Sequence, residues 1–311
     1  MSVTPKTLFV VENGLNTCYI DSLLMALFYK KCAFIDCMLI NDPKNPEYIY
    51  LQEIIKLKFV DQVRRNISIT ADIVNEIRIY ANICGWLQNR DNNEIFEQQD
   101  VNEFYTFLLN ISNVPLIEIQ RQTISEAPGS DNDIGNIEKI PFISLTVPHD
   151  CSQTSIKELL SSWMNNNTVE SVRREVIDDT GNTKVESVKA LNIYKIINVP
   201  TFMGLSFNRF NNMGKRSLCT IDIQKKIKLH HISDDNEGLR WTIHALICHT
   251  GETPKGGHYY AVLLSNNNSW LVFDDQAVPC LNEVNIKNNN ELSDTIKRQV
   301  VFAIYCYDEI I

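Results

Sequence analysis

The feature that most constrains the fold is a change of texture at Pro115. Before it, apolar residues recur at helical spacing over 16–29, 47–63, 71–83 and 98–111, where Val101, Phe104, Tyr105 and Leu108 form a stripe. After it, alternating and β-branched segments predict strands, broken by polar turns at 125–137 and 179–182. One helix is predicted over 154–164, where Ile156, Leu159, Leu160 and Trp163 share a face. The more apolar stretches 204–210, 242–248, 259–264, 270–273 and 300–307 predict a buried sheet, with Asn-rich loops at 211–212, 266–268 and 288–290. Helices first and strands afterwards predict an α+β architecture.

Composition narrows the functional classes. With 311 residues, 44% of them hydrophobic, the chain can build its core without metal or disulfide staples. A net charge of -9 argues against nucleic acid or an anionic membrane as the main partner, since both need clustered Lys and Arg. An acidic cleft receiving a basic peptide suits that balance better. The chain shows no export signal and no apolar run of membrane-spanning length, so its nine cysteines read as reduced thiols of a cytoplasmic protein, a nuclear one being compatible. A monomer without cofactor is expected.

Cys18 opens the helix that follows Asn16-Thr17, and the first turn of a helix favours a thiolate through its unpaired N–H groups and dipole. By position alone Cys18 reads more readily as a small core residue. Gly256-Gly257-His258-Tyr259-Tyr260 places a histidine where a glycine-rich loop enters a strand, and His258 is the expected base. His249 competes from the end of the preceding strand, while His149, His230, His231 and His244 read as structural. In Trp270-Leu271-Val272-Phe273-Asp274-Asp275 a strand ends in two carboxylates, and a hairpin would return Asp274 to His258 as its orienting group, with Asp275 as second candidate.

Five segments together resemble the ubiquitin-specific proteases. Asn13 to Leu24, reading N-G-L-N-T-C-Y-I-D-S-L-L, is similar to that family's cysteine box, usually N-L-G-N-T-C-Y-M-N-S. Gly256 to Tyr260 resembles its histidine box and Phe273-Asp274-Asp275 the F-D-D that closes it. Gln98-Gln99-Asp100-Val101-Asn102-Glu103-Phe104 resembles Q-Q-D-A-H-E-F, and Leu205 to Phe210 resembles L-x-L-K-R-F. All five occur in the family's order, from residue 13 to 275. The cysteine string of classical papain enzymes is absent.

The resemblance implies a papain-like fold with a helical thumb over 1–112, β-rich fingers over 113–200 and a palm sheet over 201–311. It implies a deubiquitinase acting after the terminal Gly-Gly of ubiquitin, with Cys18 as nucleophile, His258 and Asp274 completing a triad, and Asn13 as oxyanion donor with the Cys18 N–H. Asp100 and Glu103, three apart on one helix face, would meet the arginines of the ubiquitin tail. Gly256 and Gly257 would line a channel too narrow for larger side chains, with Tyr259 beside it. Three departures stand out. Gly14-Leu15 reverses the usual Leu-Gly, and Ile20-Asp21 replaces Met-Asn, giving a string similar to that of the cylindromatosis deubiquitinase. No C-x-x-C pair exists, and Cys151 is the sole cysteine between 113 and 200, so the zinc that many family members hold at the fingers is not expected. A ubiquitin-binding pseudoenzyme, a general papain-like endopeptidase and a protease for another ubiquitin-like modifier are the competing readings.

Overall fold

The structure, a computed structural model, describes residues 9–43, 45–87, 94–125, 133–165, 170–177, 181–228, 240–253, 256–265, 269–285 and 289–308. His230, His231 and the loop at 266–268 lie outside the described residues, as do parts of the turns at 125–137 and 179–182.

The first half is helical. Helix α1 (Cys18–Phe28) is buried at all eleven positions, as expected of an apolar helix with no polar face to offer water. Helices α2 (Ala33–Asp36), α3 (Tyr48–Glu53), α4 (Asp61–Arg64), α5 (Ala71–Ile83) and α6 (Val101–Ile111) surround it. The helix expected over 47–63 is one continuous run in which a π-helical segment, Ile54–Val60, joins α3 to α4. Periodicity does not reveal that segment, because it keeps the apolar positions inward while changing the winding.

The strands form two main sheets. Strands β1 (Ile117–Ser125), β2 (Asp133–Ile140), β5 (Glu170–Ile177) and β6 (Thr183–Ile196) make an antiparallel sheet in the order β2-β1-β6-β5. Its edge strand β2 is exposed along nearly its whole length. The larger sheet runs β13 (Leu281–Val284), β12 (Trp270–Phe273), β11 (Tyr259–Leu264), β10 (Arg240–His249), β14 (Val300–Tyr307), β7 (Phe202–Asn208), β3 (Phe142–Thr146), with β9 (Lys226–Lys228) also paired to β10. Strand β3 joins it parallel to β7, so the segment 113–200 is divided between the two sheets. A parallel pair, β4 (Gln153–Ser155) and β8 (Thr220–Asp222), flanks α7 (Ile156–Met164), and α8 (Asn290–Gln299) precedes β14. Ser155 and Glu158 cap α7 reciprocally.

The larger sheet is covered on both faces. Ala245, Ile247, Ala261 and Leu263 face α1 and the other helices of the first half. Their neighbours Leu246, Cys248, Tyr260 and Val262 pack with Ile156, Leu159 and Leu160 of α7 and Ile296 of α8. Alternate side chains of one strand point to opposite faces, so a strand apolar at every position must be buried on both. That double burial fixes β10 and β11 against α1, and with them the two ends of the candidate site.

Candidate active site

Cys18 is the first residue of α1 and is 3% exposed. The turn before it is unusual: Leu15 and Asn16 lie at φ 70° and 59°, a left-handed conformation that costs a non-glycine residue about 1–2 kcal/mol. A buried guanidinium compensates. Arg78, reaching from α5, donates to the Leu15 carbonyl at 2.7 Å, the Gly14 carbonyl at 2.9 Å and the Asn75 side-chain oxygen, with its face against Phe96. Gly14 suits the same contact, since a Cβ there would come within 2.9 Å of the Asn75 side chain and displace it from Arg78. The reversed Gly14-Leu15 order thus makes room for Asn75 at Gly14 and places a strained residue at Leu15.

His258 immediately precedes β11, and Asp274 immediately follows β12. These strands pair antiparallel with Ala261 opposite Phe273, and that register brings the two side chains together. His258 Nε2 lies 2.8 Å from Asp274 Oδ1 and 3.6 Å from Asp275 Oδ1. Asp274 also accepts the Gln276 N–H at 2.9 Å. The other ring nitrogen, Nδ1, is buried and has no hydrogen-bond partner among the described residues. Burial opposes the charged ring, but the Asp274 carboxylate and the Cys18 sulfur outweigh it and raise the His258 pKa to about 10. Reciprocally, His258 holds Asp274 below the usual carboxylate range.

Asp275 turns away from solvent, its side chain 0% exposed, and accepts the Asn13 side-chain amide at 2.7 Å. Burial raises its pKa, and also that of Asp21 on α1, which lies against it.

His249 differs in kind from His258. Its ring packs against Tyr259 at 4.5 Å and its Nε2 lies 3.4 Å from the Gln98 amide. Burial, with Arg216 and His258 nearby, lowers its pKa to about 4. Buried Arg216 donates to the His249 carbonyl at 2.7 Å and to the Gly251 carbonyl, tying down the end of β10.

Asp100 is the N-cap of α6 rather than a member of its helical face. Its Oδ1 accepts the N–H groups of Asn102 at 2.6 Å and Glu103 at 3.4 Å. Both Asp100 and Glu103 remain exposed at this helix start. A cleft of about 220 Å³, lined by Asp100, Ser206, Phe210, His249 and Tyr259, separates α6 from the larger sheet. Tyr259 is buried, and burial pushes its phenol pKa up. Gly257 has a reason other than a narrow channel: at φ 142°, a Cβ there would meet Gly251 Cα at 2.5 Å and His249 Nε2 at 2.7 Å. Gly256 has open space at its Cβ position, Thr253 Oγ1 being nearest at 3.6 Å.

Among the described residues, two groups of three have metal-ligating atoms within 4.8 Å: His258 with Asp274 and Asp275, and Cys32 with His244 and Cys306. Neither belongs to the four-stranded sheet, whose strands carry no cysteine, so a tetrahedral zinc site there lacks its donors. Cys151 lies 2.9 Å from Cys219, outside that sheet. Arg78 and Arg216 were not singled out by motif; a charged residue among apolar helix positions, Ile77 and Ile79 beside Arg78, is the signal that could have found the first.

No described helix is long and apolar enough to cross a membrane. Comparison with known proteins agrees with the geometry. The ubiquitin carboxyl-terminal hydrolase family profile matches residues 11–298. The chain is 23% identical to ubiquitin carboxyl-terminal hydrolase 4 of Arabidopsis thaliana over 88% of this chain and 86% of the relative. It is 24% identical to ubiquitin carboxyl-terminal hydrolase 12 of Salmo salar over 87% and 81%. Among solved structures, the SAGA DUB module Ubp8/Sgf11/Sus1/Sgf73 bound to monoubiquitin matches with TM-score 0.68 at 16% identity, over 98% of this chain and 70% of that one. The same module bound to ubiquitin aldehyde matches with TM-score 0.67 at 16% identity, over 100% and 72%. Those neighbours are multi-protein modules, and the expectation of a monomer draws no support from them. With a papain-like catalytic fold, the cysteine and histidine boxes meeting across α1 and β11, and a family match over most of its length, the chain belongs to the ubiquitin carboxyl-terminal hydrolase family of ubiquitin-specific proteases.

Proposed function

We propose that this protein is a thiol-dependent deubiquitinase that cleaves the bond after the C-terminal glycine of ubiquitin through an acyl-enzyme. The observation that carries this reading is the arrangement of His258: one ring nitrogen 2.8 Å from Asp274, the other buried and unpartnered, and the Cys18 sulfur near enough to favour the protonated ring. In this mechanism thiolate Cys18 attacks the terminal glycine carbonyl, forming the C–S bond as the carbonyl electrons move to oxygen. The Asn13 side-chain amide and the Cys18 N–H stabilise that oxyanion. Imidazolium His258 gives its proton to the departing lysine amine as the C–N bond breaks. It then takes a proton from the water that attacks the thioester, and Cys18 leaves as thiolate. Asp274 holds the ring orientation and its charge throughout.

The cleft between α6 and the larger sheet suits an extended basic peptide: Asp100 presents a carboxylate at one side, with exposed Glu103 in the same first turn of α6, and His249 and Tyr259 form an aromatic wall at the other. The arginine-bearing, glycine-terminated tail of ubiquitin fits that chemistry.

The test is hydrolysis of a ubiquitin–fluorophore conjugate. Cys18→Ala should abolish turnover while ubiquitin still binds, and ubiquitin carrying a C-terminal electrophile should label Cys18. Full turnover by Cys18→Ala, or equal labelling by other ubiquitin-like modifiers bearing the same group, would overturn the assignment.

A further inference from the structure

Two hydrogen-bonded chains that start at the neighbours Asn13 and Gly14 end in buried carboxyl groups, Asp275 and Asp21, each with one oxygen that no donor reaches among the described residues. The Gly14 N–H donates to Thr17 Oγ1 at 2.7 Å, and the Thr17 hydroxyl donates to Asp21 Oδ2 at 2.8 Å. On the other side the Asn13 amide donates to Asp275 Oδ2 at 2.7 Å. What remains is the pair of carboxyl groups at the ends of these two chains, close enough that each changes the other's hold on a proton. Their outstanding oxygens, Asp21 Oδ1 and Asp275 Oδ1, are both buried and both lack a donor.

Two ionised carboxylates cannot share a dry site, and a single proton between them removes one charge while satisfying both oxygens. Asp21 is 0% exposed, and its surroundings assign the proton to it. Asp275 has Asn13 and the nearby His258 to support a negative charge, whereas Asp21 has one hydroxyl, Thr17. The cysteine box this sequence resembles has Asn where Asp21 stands. An amide donates permanently; a carboxyl group donates only while protonated.

We propose that Asp21 is a positioning residue: as a carboxylic acid it donates to Asp275, and the Asp275 carboxylate so fixed holds the Asn13 amide toward the oxyanion of the tetrahedral intermediate. An acceptor-only carboxylate forces Asn13 to present its NH₂ group, leaving the second N–H of that group for the substrate. Because the donor acts where charge develops, losing its alignment lowers kcat and leaves substrate binding alone. The inference rests on the reading of Asn13 as oxyanion donor.

Four variants of the full chain separate the outcomes, each measured for kcat and KM on ubiquitin–fluorophore and for melting temperature. Removing one oxyanion donor costs on the order of 10²–10³ in kcat, so N13A should fall in that range with KM little changed. D21L, whose side chain fills the carboxyl volume without a donor, should lower kcat at least about tenfold at unchanged KM, in the same direction as that loss; D21A serves should D21L not fold. D21N, which restores a permanent donor, should recover kcat to within about threefold of wild type, a difference under 1 kcal/mol. In the N13A background, D21L should cost no further kcat. A D21N variant as slow as D21L, or a D21L loss undiminished in the N13A background, would overturn the role of Asp21 while leaving the proposed chemistry intact. A wild-type kcat for N13A would remove the oxyanion reading, and this inference with it.

Discussion

Asp274→Asn isolates the charge behind His258, because an amide keeps the shape of the carboxyl group and an oxygen to accept from Nε2–H. At the observed 2.8 Å, two unit charges interact by about 1.5 kcal/mol under bulk-water screening and about 6 kcal/mol at an effective dielectric constant of 20. The Asp274 side chain is 35% exposed, which places the interaction near the screened end, at about 2 kcal/mol. That corresponds to a fall of roughly 1.5 in the His258 pKa and to at most about a 30-fold loss in rate if all of it acts in the transition state. The assay is kcat/KM on ubiquitin–fluorophore across pH 5 to about 10.5. The wild type should hold its activity until His258 deprotonates near pH 10, and the alkaline limb of the variant should move toward neutrality. Stability follows the same sign. A histidine whose folded pKa is raised contributes fully below its ordinary value of 6.5 and loses that contribution as pH rises through about 10. The melting temperatures of variant and wild type should therefore differ at pH 7 and converge above pH 10. A folded variant with an unmoved alkaline limb and a rate within about twofold of wild type would refute the role assigned to Asp274, since a 2 kcal/mol term cannot vanish from both measurements.

Two further outcomes are expected. Arg78→Met should destabilise the fold by about 3 kcal/mol, because it strips charged donors from the buried Gly14 carbonyl and from that of Leu15, and should slow turnover through the loosened turn; a urea midpoint unchanged from wild type would show that the turn holds without the clamp. On the acid side, burial lowers the pKa of both His244 and His249 to about 4, so between pH 6.5 and 4 the unfolded chain binds protons that the folded chain refuses. Urea midpoints should fall across that window, and the fall should shrink in His244→Gln; an identical pH dependence in that variant would exclude His244 as its source.

Much of this was legible before any fold was known, because it depends on local rules. Helix α5 occupies the expected 71–83, and strands β11, β12 and β14 the expected 259–264, 270–273 and 300–307, since periodicity and the flanking turn residues suffice to bound such elements. The hairpin that returns Asp274 to His258 follows from two adjacent strands and a short connection. Other features were hidden because they are relations between distant segments. Strand β3 pairs parallel with β7 some sixty residues away, and nothing in its own five residues assigns it to the larger sheet instead of the four-stranded one. Helix α8 has a largely polar surface and buries only Ile296, too weak an apolar signal to read over its ten residues. Asp100 and Glu103 share a sequence spacing, yet one is a cap in extended conformation and the other lies inside the first turn.

The residues themselves determined the chemistry on offer: a thiol at a helix start, a histidine entering a strand, two successive carboxylates after another, and the absence of paired cysteines for zinc. Tertiary structure decided how each would behave. Asp274 and Asp275 are neighbours of identical type, but the turn after β12 sends one to His258 with a third of its surface in water and drives the other into the interior. Gly257 is small for the sake of Gly251 and His249, which the chain brings against it from across a loop. Asp21, one carboxyl group in an apolar helix, becomes the partner of Asp275 only when α1 is buried against the larger sheet. Desolvation and proximity set charge states, and both arise only when segments distant in the chain are packed together.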